Sequence, residues 1–122
     1  MSGSLRWSLP LLSAGQAQKE VTHNEAIAAV DRVLHLAVSS RSAQEPPAVV
    51  TPGDTYITGT DPTGAWAGSA AVVATFDGFG WVMTRPRVGC LAWVIDETRF
   101  VVFTGPEWSV CAWAPPPLQV AE

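Results

Sequence analysis

The sequence predicts an α+β fold, an N-terminal helix followed by a small, antiparallel, tryptophan-rich β domain. Two observations carry this. Apolar residues recur at three- and four-residue steps before residue 39, the period of a helix face. From Asp54 the period drops to two, and Gly, Pro and Asp punctuate the runs.

Residues 1–38 form the first unit, an N-terminal segment leading into an oligomerisation or attachment helix. Trp7 and Leu9 alternate with polar Arg6 and Ser8, a pattern that can add a short strand. The helix is expected over residues 22–38. Thr22 and Glu25 have capping-box spacing, in which each side chain satisfies an otherwise unpaired donor. Ile27, Val30, Leu34 and either Ala37 or Val38 mark one apolar face, and Ala26, Ala28 and Ala29 add helix propensity. The preceding Ser13–Val21 stretch can extend the same helix with Ser13 as its cap.

Residues 39–53 hold Ser39, Ser40, Ser42, Pro46, Pro47, Pro52 and Gly53 and read as a connector without regular structure. The β domain, residues 54–113, offers strands at 54–58, 71–76, 80–84, 90–96, 99–104 and 108–113. Asp96-Glu97-Thr98 between two apolar strands predicts a hairpin and antiparallel pairing. Phe76-Asp77-Gly78-Phe79-Gly80-Trp81 repeats as Phe103-Thr104-Gly105-Pro106-Glu107-Trp108, an F-x-G-x-x-W pattern. Each copy predicts a strand end, a glycine turn and an aromatic pair packed across the hairpin. Thr63-Gly64-Ala65-Trp66 is a weaker third version. Residues 114–122, with Pro115-Pro116-Pro117, predict an extended tail that engages a neighbouring subunit or a partner with little entropy left to lose.

Composition narrows the function. At 122 residues the chain is one small domain with an appendage. Charged residues make up 15% of it, against roughly 25% in ordinary soluble domains, so neutral polar groups or a partner must cover its surface. The net charge is −4, and of the basic residues only Arg85 and Arg87 sit close together. That gives no basic stripe for a phosphate backbone, and direct nucleic-acid binding is not expected. No run reaches the roughly 18 apolar residues of a membrane span, and Leu9–Leu12 is too short for the core of a signal peptide.

Reaction chemistry is thin, and no enzyme is expected. No serine lies in a G-x-S-x-G elbow. His23 and His35, on one predicted helix, stand about 18 Å apart by helical rise, too far for one compact site. Glu20 and His23 read as a polar face or an interface hydrogen bond rather than an acid–base pair, and Asp96 and Glu97 point apart in a turn. Cys90 and Cys111 lie in different predicted strands and can pair only if those strands are neighbours; two reduced, mostly buried thiols are the expectation. Neither histidine is placed to complete a zinc site with them, and no cofactor or metal is expected. The tryptophans are expected to fill the core or a subunit contact, with Trp66, Trp81 and Trp108 as the candidates for stacking on a glycan.

The run from Leu9 to Ala26, Leu-Pro-Leu-Leu-Ser-Ala-Gly-Gln-Ala-Gln-Lys-Glu-Val-Thr-His-Asn-Glu-Ala, resembles the opening of the DUF2793 family. The likeness continues through Gly53–Ile57, Thr63–Gly68 and Gly80–Val82, and so covers roughly residues 5 to 110. Members occur in alphaproteobacterial prophages and gene transfer agents, often at the start of tail-fibre or other appendage proteins. The resemblance implies a virion structural protein on the surface of a phage-like particle, assembled in the bacterial cytoplasm. Many relatives continue into long distal regions, so this shorter chain is expected to be a base or adaptor subunit. Its expected partners are further copies of itself as a trimer or pentamer, a capsid or tail protein, and a separate fibre or spike. The alternative is a glycan-binding module that takes host surface polysaccharide. The family supplies no catalytic residues, and only the polar head of the motif, Gln16, Lys19, Glu20, His23 and Asn24, carries over as a candidate interface. Ile27, Val30 and Leu34 join it as the apolar part of the same helix surface.

Overall fold

A computed structural model describes residues 3–13 and 19–111. Among these residues, one α-helix, α1 (Lys19–Val33), precedes seven strands: β1 (Ala37–Val38), β2 (Thr55–Ile57), β3 (Val73–Phe76), β4 (Trp81–Thr84), β5 (Leu91–Val94), β6 (Arg99–Phe103) and β7 (Trp108–Val110). They form two sheets, ordered β1-β5-β6-β7 and β2-β3-β4. Both expected hairpins with the F-x-G-x-x-W pattern are present. Phe76 faces Trp81 with ring centroids 5.4 Å apart, and Phe103 faces Trp108 at 5.3 Å. Gly78 and Gly105 take φ of +101° and +124° in the turns, a region that side chains other than glycine rarely enter.

The helix ends before its expected C-terminal bound, and upstream it already includes Lys19–Val21, the extension that the Ser13–Val21 stretch allowed. Thr22 thus lies inside the helix and cannot cap it. The helix stops at Val33 because His35 adopts a left-handed φ of +44°. His35 therefore lies outside the helix. Leu36 and Val38 turn into the core, and Ala37–Val38 pair with Trp93–Val94 as a parallel strand. Every other strand pair is antiparallel. Instead of a strand, the segment around Trp7 forms a tight loop closed by a Gly3–Pro10 bridge.

The two sheets share a core of Leu36, Val38, Ile57, Val73, Ala92, Val94, Val101 and Trp108. The connector holds them together, although it has no regular structure. Ser39 N donates to Thr55 O, Ile57 N to Ser40 O and Gly59 N to Ala43 O, so the backbone leaving β1 runs beside β2. Arg41 reaches from this connector to the β5–β6 turn, where its guanidinium pairs with Glu97 at 2.8 Å. The expected tail and Trp113 lie outside the described residues.

Candidate interaction surfaces

The N-terminal loop is fastened to α1 through one carboxylate. Asp31 is buried, and it accepts hydrogen bonds from Ser4 Oγ at 2.6 Å and from the amides of Arg6 and Trp7 at 2.8 Å each. Burial works to raise its pKa, but these donors and the Arg6 charge prevail and hold it below the usual value. Arg6 completes the attachment. Its guanidinium donates to the carbonyls of Asp31, Leu34 and His35, groups that the end of a helix leaves unpaired. Desolvation lowers the Arg6 pKa and Asp31 opposes this.

The expected interface residues do not share one surface. Gln16 lies outside the described residues. Lys19 and His23 are exposed, and Glu20 is half-buried. Asn24 is engaged within the chain: Leu12 N donates to its Oδ1 at 2.8 Å, and its Nδ2 donates to Leu12 O at 3.0 Å. Ile27 is half-buried on the side of Asp31. Leu34 has left the helix, and its carbonyl accepts from both Arg6 and the Trp7 indole. Val30 is 48% exposed. With Ala26, Ala29 and Val33 it makes an uncovered apolar stripe at i, i+3, i+4 and i+7 spacing. The expected face is thus rotated, with Val30 outward and Ile27 toward the domain.

The tryptophans are also sorted by burial. Trp66, on the one-turn 3-10 segment Gly64–Trp66, is fully buried and packs edge-on to Trp81 at 5.2 Å and against Tyr56 at 5.6 Å. Trp108 is buried under the other sheet, with its indole N–H donating to Ala71 O at 3.0 Å. Burial therefore leaves Trp66 no surface for a saccharide to stack on, and leaves Trp108 only the edge that lines a surface cavity with Arg41, Thr58 and Glu107. Trp81 is half-buried in the same aromatic cluster as Trp66.

Sequence reasoning missed two surfaces. The first is the outer face of the β1-β5-β6-β7 sheet. Leu91, Trp93 and Phe100 alternate outward there while Ala92, Val94 and Val101 point into the core. Leu91 and Phe100 remain nearly half exposed. The alternation was readable in the sequence, but both faces of these strands are apolar, so nothing marked which one would be left open. The second is Phe79, 98% exposed at the tip of the β3–β4 hairpin. Asp77 pins that turn by accepting from the amides of Phe79 and Gly80, each at 2.8 Å.

Cys90 and Cys111 are free thiols beside opposite ends of β6. Cys90 bonds through its carbonyl to Phe103 N, and Cys111 through its amide to Phe100 O. Burial pushes the Cys90 thiol pKa up. Among the described residues, no group of three or more His, Cys, Asp or Glu could hold a metal ion, and no helix is long and apolar enough to cross a membrane.

Residues 23–109 match the family described as a protein of unknown function, DUF2793. The chain belongs to the DUF2793 family. The match takes in most of α1, strands β1 to β6 and the first two residues of β7, while the N-terminal loop held by Asp31 lies ahead of it. It begins inside the opening motif, leaving residues 9–22 ahead of it. No curated protein and no solved structure matches the chain.

Proposed function

We propose that this DUF2793 protein is a virion structural protein, the base or adaptor subunit that attaches a head spike or tail fibre to a phage-like particle. The observation that carries this reading is the uncovered apolar stripe of α1, which continues from a motif resembling the opening of appendage proteins. A connector must meet copies of itself and a different partner on separate surfaces. The stripe suits a trimer or pentamer, because cyclic symmetry reuses one helix face around a ring. Phe79 on its pinned turn suits a second contact, since a rigid exposed aromatic loses little entropy on docking. The low charge content supports the same reading. A glycan-binding module is the weaker alternative, because two of its three candidate rings are buried.

The test is cross-linking mass spectrometry on intact, purified particles, with the copy number of this chain quantified in the same sample. The adaptor reading expects cross-links to a capsid or tail protein on one side and to a fibre or spike on the other. Absence of the chain from mature particles would overturn it.

A further inference from the structure

The outer face of the β1-β5-β6-β7 sheet carries a groove of about 450 Å³ with aromatic walls. Trp7 and His35 stand on one side with ring centroids 5.8 Å apart, and Trp93 and Phe100 on the other at 4.8 Å. Leu91 and Ala37 complete an apolar floor. The one formal charge along it, Arg6, is committed to the carbonyls that end α1. The groove therefore offers stacked rings and aliphatic surface but no charge to recognise a charged ligand. That chemistry suits a proline-rich segment, whose rings lie flat on aromatic faces and whose extended helix is ordered before it docks.

The chain carries such a segment close to the groove. Cys111 N donates to the carbonyl of Phe100, one wall of the groove, at 2.9 Å. Ser109 pairs with Val102, so alternation puts Ser109 and Cys111 on the same outer face as Phe100 and Trp93. The sequence continues Ala112-Trp113-Ala114-Pro115-Pro116-Pro117. β7 and β5 are two strand spacings apart, about 10 Å. The four residues from Cys111 to Pro115 span up to about 13 Å when extended, enough to bring the first proline over Trp93.

We infer that the aromatic groove of Trp7, His35, Trp93 and Phe100 is a polyproline site, and that its occupant is the chain's own 112–122 segment, with Pro115–Pro117 seated between the ring pairs. This inference does not rest on the adaptor reading, and it gives the uncovered sheet face an intramolecular cover.

The test uses the full chain. In the wild-type protein, nuclear Overhauser contacts are expected between the ring protons of Pro115–Pro117 and the indole protons of Trp93 and Trp7. Their absence from an assigned spectrum would overturn the inference. Hydroxyl-radical labelling read residue by residue provides a second readout, comparing wild type with the full-length variant P115G/P116G/P117G. Trp7 and Trp93 should become several-fold more reactive in the variant, while core Trp66 stays unchanged. Equal reactivity in both proteins would count against the site. Wild-type protection that vanishes on dilution to monomer would assign the groove to a second copy and overturn the intramolecular occupant.

Discussion

Asp31 shows how much one side chain can hold at the residue scale. Removing its carboxylate leaves the Ser4 hydroxyl and the amides of Arg6 and Trp7 without their acceptor. Asp31→Ala should therefore cost about 3 kcal/mol or more, read from denaturant midpoints. Thr75 is the opposite case. Its hydroxyl is buried without a hydrogen-bond partner beside a cavity of about 190 Å³ under α1. Thr75→Val should leave stability within about 1 kcal/mol of wild type, or raise it, because the methyl group needs no partner. Glu97 carries a pH signature. Hydrogen bonds from Arg41 and then Arg99 outweigh desolvation and lower its pKa from 4.5 to about 2. A depressed carboxylate contributes stability that is complete above its unfolded value and lost as pH falls through the folded one. The stability gap between wild type and Glu97→Gln should thus be full at pH 5 and shrink toward pH 2, as urea titrations across that range would show.

Among the elements, the β hairpins were legible and the end of the helix was not. The F-x-G-x-x-W repeat is a local signal, since turn glycine and aromatic pair lie within six residues, and both copies form as read. Gly78→Ala tests it: at φ +101° an alanine is strained even though its Cβ finds room 3.5 Å from Pro52. Thermal unfolding should report a loss of about 1–2 kcal/mol. The helix ends where Arg6, from a loop some 25 residues earlier, supplies donors to its last carbonyls. No window along α1 contains that cap. A signal did exist in Leu34-His35-Leu36-Ala37-Val38, whose period of two matches the burial of Leu36 and Val38, but it overlaps the helical spacing of Leu34 and Val38 with Val30. The face of α1 that stays open was also out of reach, because Asp31, a polar residue in the last turn of the helix, is buried and marks the side that turns inward.

The whole molecule presents separate surfaces of different chemistry, and a variant that spares the core can separate them. Val30 is exposed on α1, so on the adaptor reading Val30→Asp should keep the fold while abolishing the proposed self-association, measured by light scattering coupled to size exclusion. Ile27→Asp should instead destabilise the monomer, since that side chain is half-buried next to the Asp31 attachment. The parallel pairing of β1 with β5 has a consequence in time. Ala37 meets Trp93 across more than fifty residues of intervening chain, and contacts this distant in sequence form late because the loop must close first. During synthesis, β1 has no strand to join until the β5–β6 hairpin has left the ribosome. Until then α1 can form, but the strand after it leaves Leu36 and Val38 exposed to water. The nascent chain is most open to misassociation in that interval, and β5 is the element whose arrival ends it.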